Sequence, residues 1–278
     1  MATIEYSLFR AKFIHPHQTL LFAGKASPSQ IFLTSINERP STEIREGYTW
    51  HIGNIRSFTA TTGYFAVGRT TSATVETFDD KTGNFVEEEL ETSPYTHVVY
   101  DAGIGVIAVA RKNRLAPTTK AIASKIEALL GQTSTVMQNE LTVEILPIRD
   151  PRGFIEEILA ACRVATFTAT FKGPNPFDAD ELFQKPLSVY LSAANGAEGK
   201  TQIAGSALNK EVIQEVSRST AATGNEASAR IIRTNAQQLV TIHLSGDPVK
   251  KIYDAAHHDP EQVCNDMTSL YHQIRADD

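Results

Sequence analysis

The chain has 278 residues, 41% of them apolar and 21% charged, with a formal net charge of −6. That length and composition fit one large or two ordinary globular domains, and no run of about 18 apolar residues occurs that would cross a bilayer as a helix. The opening Met1-Ala2-Thr3-Ile4-Glu5 lacks the basic, apolar and small-residue regions of a signal peptide, so a cytoplasmic protein is expected. An overall pI near 5.8 excludes a protein that coats nucleic acid with its whole surface, which leaves local charge patterning to decide.

In chain order the first half reads as β-rich. Ile4 to Phe9 alternates, Trp50-His51-Ile52 and Ile55 to Phe58 follow a turn-rich stretch, and Tyr64 to Phe78 is a long run rich in Thr and Val. Turn residues at Thr62-Gly63, Asp80 to Asn84 and Asp101-Ala102-Gly103 predict antiparallel hairpins. Glu76 to Glu91 holds seven acids against Lys81, as a solvated edge strand does.

The next segment reverses that sign. Two apolar strands, Thr96 to Tyr100 and Val106 to Ala110, deliver the loop Arg111-Lys112-Asn113-Arg114 into a helix with Ile122, Ile126, Leu129 and Leu130 on one face. Between Gly103 and Ile126 there are five Lys or Arg and no acid. Cations set against a nucleic-acid backbone release condensed counterions, so this block is where phosphate would bind. The candidate contacts are Arg111, Lys112, Arg114, Lys120 and Lys125, with Arg69 on the long strand. Hairpin ends also carry Lys and Arg simply for solubility. Arg230 and Arg233, three positions apart on a strand, face opposite ways, so at most one extends the patch.

Polar Gln132 to Asn139 is the expected linker to a second domain. Its pattern predicts strand Thr142 to Ile148, helix Pro151 to Cys162, strand Val164 to Phe171, helix Ala179 to Gln184, strand Leu187 to Ala193, helix Lys210 to Ala222, and strands Ala229 to Arg233 and Leu239 to Leu244. The tail, starting at Asp259-Pro260, is an amphipathic helix whose stripe is Val263, Met267, Leu270, Tyr271 and Ile274. That stripe is expected either to dock on the rest of the chain or to form a homodimer. The fold class is therefore α+β. It comprises a β-rich domain of antiparallel hairpins (1–138), a mixed-sheet α/β domain (139–247) and a helical tail for docking or dimerisation (248–278).

No catalytic motif stands out. The histidine clusters His15-Pro16-His17 and His257-His258-Asp259 lack metal-site spacing, and no metal or cofactor is expected. Cys162 and Cys264, on the apolar faces of predicted helices, read as buried free thiols. Asp180 followed by Glu198-Gly199-Lys200 matches the acid, acid-x-Lys order of metal-dependent nucleases. Such a nuclease, or another infection-triggered enzyme, is the alternative to a binding protein; a protein-interaction subunit without nucleic acid is the third reading.

The segment Val106 to Arg111, followed by Pro117-Thr118-Thr119 and an amphipathic helix, resembles the strand, Ala-Arg and Pro-Thr-Thr arrangement of the RexA family of phage exclusion proteins. Val143 to Pro147, Leu187 to Leu191 and the helical C-terminus follow in a comparable order. The resemblance implies a prophage-encoded cytoplasmic sensor acting in phage exclusion or antiviral defence, and the reading of this chain as an enzyme or not stays open, leaning to non-enzymatic. Such a protein is a homodimer, binds double-stranded DNA with little sequence preference and works with a membrane protein effector. Arg111 is the matched basic residue.

Overall fold

The computed structural model describes residues 2–14, 26–172, 183–194, 196, 198–234 and 238–275. Within them the chain is α+β and β-rich, with thirteen strands in two sheets. β1 (Thr3–Ile14) leads to α1 (Pro28–Asn37), followed by β2 (Ser41–Arg45), β3 (Tyr48–Ser57), β4 (Thr62–Asp79), β5 (Asn84–Thr92), β6 (Tyr95–Asp101) and β7 (Val106–Ala110). Next come α2 (Thr119–Gly131), α3 (Ser134–Gln138) and β8 (Thr142–Pro147).

The second part holds α4 (Arg152–Ala160), β9 (Ala161–Lys172), α5 (Gln184–Ala193), β10 (Glu198–Ala204), α6 (Lys210–Ala222), β11 (Ala227–Arg233) and β12 (Leu239–His243). β13 (Lys250–Asp254) and α7 (Pro260–Arg275) close the chain.

The large sheet runs β13-β1-β7-β6-β4-β3-β2, with β8 paired to β1 and β5 to β4. β1 holds it together. One edge of β1 pairs with β7, while the other pairs with β13 along Thr3 to Ser7 and with β8 along Phe9 to Ile14. All of Val106 to Ala110 is buried, because β7 has a core on each side. Alternate residues enter different clusters: Phe9, Val98 and Ile107 face α1, α2 and α3, while Leu8, Val99 and Ala108 face α4, α6 and α7.

The expected division at residue 138 falls inside this sheet. β8, assigned by sequence to the second domain, and β13, assigned to the tail, both pair with β1. The second sheet, β10-β9-β11-β12, lies in an excursion that leaves at Ile148 and returns at Pro248. Its ends are bridged between Arg149 and Pro248. Every ladder is antiparallel rather than mixed. α5 joins the antiparallel neighbours β9 and β10, whereas α6 carries the chain across β9 from β10 to β11, which runs parallel to β10 without pairing with it. One apolar cluster joins Leu8 and Val99 of the large sheet to Phe167, Ile231 and Ile242 of the small one through Ile213, Met267 and Tyr271.

Local departures have local causes. Gln132 to Asn139 is no free linker: Thr133 caps α3, and the Glu38 carboxylate accepts from Ser134 N and Oγ at 2.7 Å each and from Thr135 N at 2.9 Å. Leu187 to Ala193 is helical although its Leu, Val and Tyr suggest a strand, because Gln184, Ser188 and Leu191 form the buried i, i+4, i+7 face. Val189 and Tyr190 are left exposed. The expected helix from Ala179 begins outside the described residues. Cys162 stands on β9 and is exposed, since the preceding helix ends at Ala160; Cys264 is buried in α7 and donates to the Tyr100 carbonyl at 3.3 Å.

α7 lies across β4, β6 and β7 and against α6. Val263, Met267, Tyr271 and Ile274 are buried there, and Leu270 packs at the margin. The stripe assigned to dimerisation is thus consumed within the chain, which corrects that assignment: a helix face packed on its own sheet is not available to a second copy. Among the described residues no helix is long and apolar enough to cross a membrane.

Candidate nucleic-acid interface

β7 ends at Ala110, and the chain turns through Arg111 to Arg114 before Leu115 and Ala116 re-enter the core. Thr96 Oγ1 donates to the Ala110 carbonyl at 2.9 Å and Arg111 N donates to the Glu5 carbonyl at 2.8 Å, which fixes where the loop departs. Between those anchors Arg111, Lys112 and Arg114 are exposed.

Arg69 joins them from β4. Its Nη2 donates to the Arg114 carbonyl at 3.3 Å, its guanidinium lies 4.9 Å over the Tyr48 ring, and its backbone N donates to Pro94 O at 3.1 Å. Lys120 is exposed in the first turn of α2, which is capped by Thr118, and lines a cleft with Arg111 and Lys250. Lys125 is half-buried and follows Lys120 by five positions, about 140° around the helix, so it points away from that cleft. Five of the six proposed cations therefore gather at one end of the sheet.

Two acids face this cluster. Arg111 Nη1 lies 3.8 Å from Glu5, Lys250 Nζ 3.2 Å from the same carboxylate, and Lys120 Nζ 3.6 Å from the exposed Asp247. The Lys120–Asp247 pair is exposed and contributes about 0–1 kcal/mol, so phosphate can replace Asp247 there, whereas Glu5 has only 22% of its side chain exposed and stays beside Arg111 and Lys250. Arg233 is engaged elsewhere, 2.7 Å from Glu157 on α4.

Just past Arg69 the sheet changes character. From Thr71 to Thr92, β4 and β5 pair, among the described residues, only with each other and form an arm bearing the seven acids. Its tip carries Phe78 and Phe85 in edge contact, 52% and 82% exposed.

Beside the basic loop runs a row of flat rings that the sequence reading missed. His97 stacks on His258 (centroids 5.7 Å), and His258 on Tyr6 (5.6 Å). Tyr6 OH and His258 Nε2 share a 2.6 Å hydrogen bond. Tyr64 and Tyr95 complete the row, 5.4 and 5.8 Å from His97. Burial, then the neighbouring charges of His258 and Lys112, holds the His97 imidazole below its usual range. His257 instead meets Asp254 at 3.3 Å. The only local sign of this row was the Tyr95, His97 alternation on one strand.

The nuclease-like residues are arranged for ion pairing. Lys172 on β9 sits opposite Glu198 and lies 3.6 Å from its carboxylate and 3.3 Å from that of Glu144. Lys200 is exposed two residues along, and Asp180 lies outside the described residues. Among those described, no three His, Cys, Asp or Glu are grouped to hold a metal ion. His15 and His17 also lie outside them.

No protein-family model matches this chain, and no curated protein matches it.

Proposed function

We propose that this chain binds nucleic acid, double-stranded DNA included, through phosphate contacts that carry no sequence information. The observation that supports this is the gathering of Arg69, Arg111, Lys112, Arg114 and Lys120 at one sheet end of an otherwise acidic chain. The resemblance to RexA-like proteins extends the proposal to a cytoplasmic sensor in phage exclusion or antiphage defence, acting as a homodimer with a membrane protein effector. A dimer would bring two basic loops to one duplex and raise apparent affinity without a new kind of contact.

Backbone contacts position a protein on nucleic acid, and base edges specify the site. Three DNA duplexes of equal length and unrelated sequence should therefore bind at low salt with affinities within a few-fold of one another, measured by fluorescence anisotropy. A preference of a hundredfold for one of them would show base reading and sink the proposal, as would no binding at all.

A further inference from the structure

The face of β3, β4 and β6 next to the basic loop carries a shallow groove lined by His51, Gly53, Ala66, Gly68, Arg69 and Tyr95. In register, Gly53 lies opposite Ala66 and Ala66 opposite His97, while His51 lies opposite Gly68 and Gly68 opposite Tyr95. Cross-strand partners share a face, so small residues form a floor between His51 on one side and Tyr95 and His97 on the other.

A Cβ on Gly53 would meet nothing within 4 Å, whereas one on Gly68 would lie 2.7 Å from the Tyr95 Cβ. The first glycine leaves the floor open and the second lets Tyr95 approach the strand closely. Tyr95 is 48% exposed and backed by His97. His51 is held by the Ser41 hydroxyl at 2.9 Å and the Thr70 hydroxyl at 3.0 Å. The Arg69 backbone donates to Pro94, beside Tyr95, and its side chain to Arg114, so the groove and the basic loop share a rim.

We propose that this groove stacks the bases of an unpaired nucleic-acid strand whose phosphates lie on the Arg111 to Arg114 loop. The inference rests on the phosphate-binding reading above and adds the strand state. Bases in a duplex have their flat faces covered by stacked neighbours, so a ring platform offers them little; an unpaired base presents its face. The acidic arm that starts at Thr71 bounds the cationic surface, and like charge there repels a second phosphate track.

The test uses the full chain and three labelled DNA probes with the same number of phosphates: an unstructured single strand, a strand of abasic nucleotides, and a hairpin duplex. Stacking on one aromatic platform corresponds to roughly tenfold or more per base. The single strand should therefore bind at least about tenfold more tightly than either other probe. Tyr95→Ala, at an exposed position that should fold normally, should bring the single strand to the abasic level and leave abasic binding unchanged. Equal binding of base-bearing and abasic strands, a duplex bound as tightly as the single strand, or a Tyr95→Ala variant that binds both strands as the parent does would overturn the inference while leaving phosphate binding intact. Failure of all three probes at low salt would instead remove the phosphate reading on which it rests.

Discussion

Met267→Ala is expected to lower the unfolding free energy by about 2–5 kcal/mol, the range for truncating a buried Met in a close-packed core. Met267 is 2% exposed and lies in the cluster that joins both sheets through α6 and α7. The cavity would open where three layers meet and where no single element can collapse to fill it. Against a total stability of about 5–15 kcal/mol for a domain, that loss shifts the urea midpoint far enough to measure directly. The companion variant Leu270→Asp, at the margin of the same stripe, should destabilise less and leave sedimentation unchanged from the parent. A parent dimer that dissociates on Leu270→Asp would show that the stripe serves a second copy after all.

Lys12→Met should remove a pH dependence of stability worth about 3 kcal/mol between pH 7 and pH 9.5. Lys12 sits on β1, 6% exposed, and donates to Asn225 Oδ1 at 3.0 Å. Burial, then the Arg10 charge, brings its pKa down from 10.5 to about 7, with Glu144 acting in the opposite sense. Below pH 7 the amine is protonated in both folded and unfolded chains, and the whole cost of burying the charge is felt. Between pH 7 and the unfolded pKa only the unfolded chain holds the extra proton, so stability rises with pH. Urea titrations of parent and variant across that range should diverge, the parent gaining on Lys12→Met as pH increases. Parallel curves would mean that the Lys12 amine titrates as an exposed lysine does.

The β6–β7 hairpin, the basic loop and α2 were legible because their signals are contiguous: two apolar runs, a turn at Asp101 to Gly103, and Thr118 ahead of an i, i+4 pattern. The layout around β1 was not. β8 and β13 reach that strand from 128 or more residues away, and Lys250 to Asp254 has the charge of an edge rather than the apolar run of a core strand. α1 carried its own sign in Ser27-Pro28-Ser29-Gln30, a capping box that closes with Gln30 N to Ser27 Oγ at 3.2 Å and Ser27 N to Gln30 Oε1 at 2.8 Å. α6 looked polar, yet Ser217, Thr220 and Thr223 are buried, each donating to the carbonyl four residues back. The cations of the interface were visible as a charge block. The ring row was hidden, because Tyr6, Tyr64, His97 and His258 come from four distant segments that only the sheet brings together.

Phosphate binding by the Arg111 to Arg114 loop is tested most directly by the slope of log affinity against log salt, for the parent and for Arg111→Ala, Lys112→Ala, Arg114→Ala combined. Each phosphate neutralised on duplex DNA contributes about −0.9 to that slope. The triple variant should bind weakly at low salt, with a slope shallower by roughly 2–3 and an unchanged circular-dichroism spectrum. A folded triple variant whose affinity and slope match the parent's would place the contact surface elsewhere on the chain.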